Sequence, residues 1–277
     1  MSERDDVRSR APDVDTGRPS VARVYDLFLG GKTHFAVDRQ VYRQIVKIAP
    51  ETPELARENR RWLARVVDLM ARDGGIDQFL DLGCGLPTSD NLHEIAQKAA
   101  PRVTMVYVDN DPTVISHGRA LLADEWQRVY FAAADLTDPA GVLADPTVSG
   151  ALDLSRPVGV VQSLVLHHIS DLVRAREVVA GYVDALAAGS YLALTHATNP
   201  RDGSRFAEFA TSVEEKARTA FPSMTFRTPN EIASLFAGLE FVGPGLAGPG
   251  EWWPTNGSRR TTSGAGRLLL AGLARKP

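Results

Sequence analysis

The spacing of apolar residues divides the 277-residue chain into two parts. In the first part, apolar side chains recur every three or four positions, as on one face of an α-helix. Val24 and Phe28 follow this pattern behind Ser20, a residue type that often caps a helix. We therefore expect residues 19–75 to be mainly helical. Residues 1–18 are charged and poor in aromatics, which predicts a disordered tail.

From residue 76 onward, short apolar runs alternate with amphipathic segments. Near-continuous apolar strands separated by helices are typical of a parallel sheet that is covered on both faces. We therefore predict that residues 76–277 form an α/β domain with a doubly wound, mostly parallel, seven-stranded Rossmann-like sheet. The last two strands are expected to be antiparallel at its edge. The predicted strands are "DQFLDLG", "RVTMVYVDND", "RVYFAAADL", "PVGVVQSLVL", "SYLALTHAT", "LEFVGPGLA" and "RLLLAGLARK".

The segment Gly31-Lys32-Thr33 resembles the end of a phosphate-binding P-loop, G-x-x-x-x-G-K-[ST]. The first glycine of that motif would fall at Asp26, whose carboxylate would repel phosphate. The preceding segment also has helical rather than strand spacing. The pattern therefore favours a helix that ends at Gly30-Gly31, followed by a loop that carries Lys32, His34 and Phe35.

Composition limits the possible partners. The hydrophobic fraction of 44% and the charged fraction of 23% are ordinary for a globular protein, and the net charge of -3 gives no support for nucleic-acid binding. The single cysteine, Cys84, excludes an internal disulfide and a multi-cysteine zinc site. No run is long enough for a membrane helix, and no signal peptide is visible. We expect a cytoplasmic protein that binds neither membrane nor nucleic acid, and its oligomeric state stays open.

The segment "FLDLGCGLPTS" is the main candidate for a ligand site. A strand ends near Asp81, and Gly83 and Gly85 then turn toward a helix, so backbone N–H groups can approach a ligand closely. A dinucleotide-binding turn would have a third glycine where this chain has Thr88. The carboxylate of Asp81 instead suits a positively charged group, such as the amino group of S-adenosylmethionine. A glycine turn without a ligand is the remaining alternative.

The next two predicted strands also end in acidic residues. Asp109 lies near the spacing of about 20 residues that is expected of a ribose-binding acid, with Asn110 at the same edge. Asp135 can accept a hydrogen bond from an adenine amino group, and Leu136 can pack on the ring. An ordinary helix cap or strand-end turn is the alternative for each acid.

Together, "LDLGCG", "VDND" and "AADL" resemble, in order and spacing, the motifs of class I S-adenosylmethionine-dependent methyltransferases over about residues 76–200. More narrowly, "ARVYDLFLGGKTHFAVDR" resembles the N-terminal signature, ARVYD-x-x-LGGK-x-x-F-x-x-DR, of an S-adenosyl methyltransferase family found mainly in actinomycete bacteria. This similarity runs from about Ser20 to the C-terminus. The resemblance implies S-adenosyl-L-methionine as the cofactor.

The resemblance also implies a set of cofactor-binding residues at the ends of the strands. Pro87 departs from the family pattern, because this turn is usually built from smaller residues. The implied residues are Asp81, Gly83 and Gly85 around the amino-acid portion, Asp109 at the ribose, Asp135 and Leu136 at the adenine, and Gln162 and Ser163 through backbone contacts.

In such folds, N-terminal helices commonly lie over the cofactor. The resemblance therefore implies that Tyr25, Lys32, His34 and Phe35 line a lid that excludes water and contacts substrate or cofactor. In this hypothesis Lys32 pairs with the cofactor carboxylate. A solvated lysine in a glycine loop is the alternative.

"LVLHHISD" places His167 and His168 just after the fourth predicted strand, as candidates for a general base. Adjacent side chains are expected to point apart, so at most one of them would be catalytic, and packing or capping is the alternative. No acidic cluster accompanies the pair, and we expect no metal site. Farther along, Trp252-Trp253 and Arg259-Arg260 are expected to pack a loop and to be solvated, respectively.

These patterns predict an S-adenosylmethionine-dependent methyltransferase that acts on an unidentified small molecule. "QSLVLHHI" stands where base-amino methyltransferases carry [DNS]-P-P-[YFW], which disfavours a nucleic-acid substrate. Two alternatives stay open. One is an NAD(P)-dependent oxidoreductase, and the other is a non-catalytic regulator that binds S-adenosylmethionine.

Overall fold

The computed structural model describes residues 14–88, 91–122, 128–253 and 265–277. Over these residues, the strands form one seven-stranded sheet with the order β3-β2-β1-β4-β5-β7-β6. The strands are β1 (Gln78–Leu82), β2 (Thr104–Asp109), β3 (Val129–Ala133), β4 (Gly159–Ser163), β5 (Tyr191–Ala197), β6 (Glu240–Ala247) and β7 (Leu269–Arg275).

Helices precede the sheet and cover both of its faces. Short 3-10 turns occur at Leu166–His168, Ser234–Phe236 and Ala265–Leu268. The α-helices are α1 (Val21–Leu29), α2 (Ala36–Ile48), α3 (Thr52–Arg72), α4 (Leu92–Ala99), α5 (Pro112–Leu122), α6 (Pro139–Ala144), α7 (Pro146–Ala151), α8 (Leu172–Ala185), α9 (Arg205–Arg218) and α10 (Pro229–Ala233).

The predicted α/β sheet is confirmed, with one change in its order. Strands β1 to β5 are parallel, and β7 is antiparallel to both of its neighbours. The expectation that the last two strands lie at the edge is wrong for β7, which lies between β5 and β6. Strand β7 is mostly buried and pairs with β5 at seven successive positions, whereas β6 is largely exposed and its pairing is interrupted between Val242 and Ala247.

Helices α6 and α7 were not predicted. Each has six residues, which is too short for an amphipathic period to appear. Each begins with a proline behind an aspartate that caps it: Asp138 accepts from the N–H of Gly141, and Asp145 accepts from that of Thr147. Their start signals were present in the sequence, although no helical period followed them.

Helix α3 is part of the sheet's covering layer. Its fully buried residues Trp62, Val66 and Met70 belong to the same apolar cluster as Phe79 of β1 and Leu273 of β7. The expected boundary between lid and domain at residue 75 therefore separates elements that share one apolar core. The division into these two parts stays a prediction.

The loop after α1 confirms the helix-loop prediction. Gly30 ends α1 in the left-handed conformation, with φ of 86°. The Asp26 carboxylate accepts a hydrogen bond from the Thr33 N–H at 3.0 Å. A Cβ on Gly31 would come within 2.0 Å of that carboxylate, so the glycine here makes room for Asp26. Gly31, which makes the segment resemble a P-loop, is therefore explained by its packing against Asp26.

Candidate functional site

A cavity of about 810 Å³ lies at the carboxyl ends of strands β1 to β4, on the side that α1 covers. Open α/β sheets bind ligands at this end. The cavity brings together most of the residues that the sequence singled out. These are Tyr25, Asp81, Gly83, Gly85, Asp109, Asn110, Asp135, Leu136, Ser163, His167 and His168.

The glycine turn after β1 leaves its backbone open to this cavity. Gly83 and Gly85 have φ angles of 72° and 67°, which favour glycine. A Cβ at Gly83 would lie 2.4 Å from Val165, whereas one at Gly85 would meet nothing within 4 Å. The N–H groups of Gly83 and Cys84 donate to the carbonyl of Val108, which ties the turn to β2.

The helix after this turn begins later than expected. Helix α4 starts at Leu92, with Asn91 as its N-cap residue. The pattern predicts this helix over "TSDNLHEIAQKA", residues 88–99, so its end is as predicted and its start is at Leu92 instead of near Thr88. The intervening "LPTS" includes Pro87, which restricts the backbone before it. Helical N–H groups are therefore not presented beside the glycine turn.

The carboxylate of Asp109 connects the ends of β1 and β2. Its oxygens accept hydrogen bonds from the N–H groups of Gly85 and Asp111, each at 2.9 Å. Burial raises the pKa of Asp109 above its usual value. Asp111 caps α5 by accepting from the N–H of Thr113 at 2.7 Å, so Asp109 is left to face the glycine turn.

Asp81 is the most perturbed acid of the site. Its side chain is buried at the cavity wall. Its pKa is raised to about 7, mainly by burial; Arg60 opposes this shift, and the nearby Asp109 adds to it. Arg60 lines the cavity from α3 and donates to the Thr88 hydroxyl at 2.9 Å. Sequence reasoning missed Arg60 because it is one of several arginines on an amphipathic helix.

The segment after β3 forms the far wall at this end of the sheet. Asp135 is exposed and accepts from the N–H of Thr137 at 2.8 Å. The carbonyl of Leu136 accepts from the Tyr182 hydroxyl at 2.9 Å. Leu136 also lies close to Gly83, so the loops after β1 and β3 meet.

A chain of hydrogen bonds connects α1, α3 and β4. The side-chain amide of Asn59 donates to the Tyr25 hydroxyl at 2.9 Å and to the Ser163 hydroxyl at 3.0 Å. Ser163 also bonds Thr195 at 3.0 Å. Gln162 is fully buried, does not line the cavity, and has no side-chain partner among the described residues. It points to the opposite side from Ser163 because side chains alternate along a strand.

Lys32, His34 and Phe35 do not line the cavity. Lys32 is exposed, and the loop that carries it is held against α1 by the hydrogen bond from the Thr33 N–H to Asp26. The N-terminal side of the cavity is instead formed by α1 and the segment before it. Residues 14–18 were assigned to the disordered tail, yet the carbonyls of Asp15 and Arg18 accept from the buried Arg23 guanidinium. Residues 1–13 lie outside the described residues.

His167 and His168 converge instead of pointing apart. Both lie on the 3-10 turn after β4, and their Nε2 atoms are 3.1 Å apart. The expected divergence is wrong because it assumed an extended or helical backbone. Burial lowers the pKa of His168 to about 4, and burial together with the nearby Arg227 lowers the pKa of His167 well below its usual value. The pair is therefore neutral at pH 7.

Arg227 holds the loop that carries the histidine pair. It is buried, and its guanidinium donates to the carbonyls of Leu166 and Ile169 and, more weakly, to that of Asp171. It also lies 2.8 Å from Nε2 of His196. Sequence reasoning missed Arg227 because its bonds go to backbone carbonyls, which leave no motif.

The sequence also raised questions about a tryptophan pair, an arginine pair, metal sites and membrane-spanning helices. Trp252 is buried and donates to the carbonyl of Ala271 at 3.0 Å, which confirms its packing role, whereas Arg259-Arg260 lies outside the described residues. Across the ranges that the structure describes, no group of three or more histidine, cysteine, aspartate or glutamate side chains could hold a metal ion. Nor does any helix in those ranges have the length and apolar character needed to cross a membrane.

Comparisons with known proteins agree with this fold. A sequence model described as S-adenosyl methyltransferase matches residues 7–277. A candidate methyltransferase from Thermobifida fusca YX is 39% identical, with a TM-score of 0.88 over 95% of this chain and 96% of that one. A DUF574 family protein from Streptomyces avermitilis is 36% identical, with a TM-score of 0.87 over 96% and 100% of the two chains.

More distant similarity concerns the fold alone. An O-methyltransferase family protein from Burkholderia thailandensis is 17% identical, with a TM-score of 0.51 over 83% of this chain and 61% of that one. A comparison with curated proteins finds no match.

Proposed function

The chain belongs to the S-adenosyl methyltransferase family, with S-adenosylmethionine as its cofactor, and from this premise we propose that it methylates a small-molecule acceptor. The observation that carries the proposal is the position of three acids around one cavity. Asp81, Asp109 and Asp135 lie at or just beyond the carboxyl ends of three neighbouring strands of the sheet and line the same space.

We propose that Asp81 and Arg60 hold the amino-acid portion of the cofactor. That portion carries an ammonium group and a carboxylate. Asp81 on the cavity wall can pair with the ammonium group, and Arg60 can pair with the carboxylate. A buried carboxylate whose pKa is about 7 gains stability from a bound cation, because the cation offsets the desolvation of its charged form. Arg60 replaces Lys32 as the partner for the carboxylate, since Lys32 is exposed and does not line the cavity.

Asp109, with Asn110 beside it, would hold the ribose. A carboxylate retains free lone pairs after accepting one backbone hydrogen bond per oxygen, and it can accept hydroxyl donors. Asp135 would accept from the adenine amino group, with Leu136 against the ring. The bare backbone at Gly85 would allow close approach, since nothing fills the space where a Cβ would stand.

The bound cofactor supplies an electrophilic methyl group on a sulfonium. The protein would hold the nucleophilic atom of the acceptor in line with that methyl group and would exclude water from the site. Helix α1 covers the cavity, and Ser163, His167 and His168 line it at the end of β4. A neutral imidazole can accept a hydrogen bond from an acceptor hydroxyl, which would orient its oxygen.

A dinucleotide fits this site poorly. Its pyrophosphate would approach the buried carboxylate of Asp81 and the partly buried one of Asp109, with no helix N-terminus directly behind the glycine turn. Thr88 also stands where the dinucleotide fingerprint has its third glycine. Hydride transfer with NAD(P) is therefore the weaker alternative. A regulator that binds the cofactor without turnover would share the same site.

Calorimetric titration with S-adenosylmethionine, S-adenosylhomocysteine and NAD tests the proposal. We expect micromolar binding of the first two and no binding of NAD. Binding of NAD alone would contradict the cofactor. Cofactor binding without methyl transfer to any acceptor tried would favour the regulator. The lid formed by residues 19–75 and the cytoplasmic location stay predictions.

A further inference from the structure

We propose that the methyl acceptor is an uncharged, mainly apolar small molecule that binds in the part of the cavity between α1, α9 and residues 220–226. This inference rests on the methyl-transfer function proposed above, and it concerns the half of the cavity that the cofactor-binding acids do not line.

The charges of the cavity wall lie on one side only. Every aspartate and arginine that lines it comes from the N-terminal helices, the segment before them, strands β1 and β2, or the loops after β2 and β3. Among the described lining residues from Ser163 onward, no aspartate, glutamate, lysine or arginine occurs. The charged members are Asp15, Arg18, Arg23, Arg60, Asp81, Asp109, Asp111 and Asp135.

Apolar side chains form the other side. Val213 and Phe226 belong to a cluster on α9 and the segment after it, and Phe28 and Ile45 belong to a cluster on α1 and α2. All four line the cavity, so the two clusters face the same space. A charged ligand would lose its hydration here without a partner of opposite charge, which is costly.

The apolar part meets the histidine pair directly. The rings of His168 and Phe221 are edge to face, with centroids 5.9 Å apart, and both residues line the cavity. Nδ1 of His167 is buried and has no hydrogen-bond partner among the described residues. One uncharged polar group on the ligand, such as a hydroxyl, could be held at this pair while the remaining surface contacts apolar side chains.

The volume is sufficient for two ligands. Small-molecule pockets span roughly 300–1,000 Å³, and this cavity of about 810 Å³ lies near the upper end. The acid-lined side would hold the cofactor, which leaves the apolar side for an acceptor about the size of a two-ring aromatic. The lack of charged side chains and the apolar surface on this side therefore favour an uncharged, mainly apolar acceptor, and the cavity has room for it beside the cofactor.

The test compares three probes of one shape and different charge. Protein saturated with S-adenosylhomocysteine is titrated at pH 7 with 2-naphthol, 2-naphthoate and 2-naphthylmethylammonium. We expect the neutral naphthol to bind at least tenfold more tightly than either charged probe. Equal or tighter binding of a charged probe, or no binding of the naphthol, would overturn the inference. Failure to bind S-adenosylhomocysteine would instead count against the proposed function.

Met224 provides the matched variants, because it is partly buried and lines the apolar side. Met224→Glu adds a carboxylate, whereas Met224→Gln has the same shape without charge. We expect Met224→Glu to shift the affinity ratio of the ammonium probe to the naphthol at least tenfold toward the cation. Met224→Gln should shift it little, and both should keep the wild-type affinity for S-adenosylhomocysteine. The same ratio in both variants would contradict the position of the acceptor.

Discussion

At the scale of single residues, the site depends on carboxylates that folding has placed in an unfavourable environment. Asp81 and Asp109 are both desolvated, which raises the pKa of each carboxyl. The charge of Asp109 contributes to the raised pKa of Asp81, and the charge of Asp111 contributes to that of Asp109. Such perturbed acids in a cavity are typical of functional sites, because ligand binding rather than folding stability selects them. The side chain of Arg60 is the nearby positive charge that moderates the cost at Asp81.

Replacing Asp81 should have opposite effects on the stability of the fold and on the binding of S-adenosylhomocysteine. In the folded protein its pKa is about 7, above the ordinary aspartate value of 3.8, so the folded state holds the proton more tightly. Its contribution to stability is thus complete below about pH 4 and is lost as the pH rises through 7. We expect Asp81→Asn to raise the melting temperature at pH 8 and to change it less at pH 5.

The same variant should weaken S-adenosylhomocysteine binding at pH 8 by about 10- to 100-fold, the effect of losing one charge-assisted hydrogen bond. Calorimetry and thermal melting at both pH values measure the two effects. Asp73→Asn, an exposed carboxylate outside the cavity, is the control and should change neither. Unchanged binding by Asp81→Asn would remove Asp81 from the site.

Arg60 and Lys32 offer a second comparison. If Arg60 pairs with the cofactor carboxylate, Arg60→Met should weaken S-adenosylhomocysteine binding by about 1.5–3 kcal/mol, because a hydrogen bond to a charged group is lost. Lys32→Ala should leave the affinity unchanged, since Lys32 is exposed and away from the cavity. Calorimetric dissociation constants of the two variants decide the matter. A larger loss in Lys32→Ala would restore the original hypothesis.

At the scale of elements, the position of α1 depends on one buried ion pair. Nε of Arg23 lies 2.8 Å from the Asp38 carboxylate, and both side chains are almost fully buried. Asp38 also accepts from the N–H groups of Ser20 and Phe35, so it joins the N-terminal end of α1 to the start of α2. Arg23 donates to Thr113 at 3.1 Å, which connects α1 to the helix after β2.

Breaking this pair should loosen the cover of the cavity. Arg23→Met leaves the Asp38 carboxylate buried without its cation, and removal of one partner from a buried pair typically costs about 3–5 kcal/mol. We expect a loss of that size in the free energy of unfolding, measured in urea. Arg57→Ala, which removes an exposed pair with Glu54, is the control and should unfold like the wild type. Equal stability of the two variants would contradict the role of the pair.

The elements also show what a sequence can predict. The strands and long helices were predictable because their apolar periods continue over several turns or residues, and the acids at strand ends followed from the strands. The contacts of Arg227 and the convergence of His167 and His168 were not predictable. They depend on a 3-10 turn and on backbone carbonyls that come together only in the fold. The central position of β7 likewise depends on pairing with a distant strand.

At the scale of the whole molecule, three neutral histidines lie together beneath the cavity. His167 contacts His168 on one side and His196 on the other, with ring centroids 4.4 Å and 5.7 Å apart. Burial lowers the pKa of His196 to about 3, and the facing Arg227 lowers it further. Protonation of the cluster is therefore opposed by burial and by like charge, so acid should affect the entire fold.

Stability should decline as the pH falls from 7 to 4. Unfolded histidines titrate near pH 6.5, whereas the folded pKa of His168 is about 4, so the unfolded state takes up more protons in this interval. The carboxyls whose pKa is raised, Asp26, Asp81 and Asp109, act in the opposite direction. They are fewer than the histidines whose pKa is lowered, which are His93, His167, His168 and His196. We expect His168→Gln to reduce the slope of unfolding free energy against pH by up to about 1.4 kcal/mol per pH unit.

Urea unfolding of the wild type and His168→Gln at several pH values measures this slope. Other acids titrate in both proteins, so only the difference between the two slopes is interpreted. Parallel slopes would mean that His168 is protonated equally in the folded and unfolded states, and that the cluster is not the acid-sensitive part of the molecule.

A crystal structure of the protein with S-adenosylhomocysteine tests the central claim most directly. The account predicts the amino-acid portion between Asp81 and Arg60, the ribose at Asp109, and the adenine at Asp135 and Leu136, with the apolar side of the cavity still open to an acceptor. Electron density for the ligand elsewhere, or in this cavity with its adenine against the apolar clusters, would contradict it.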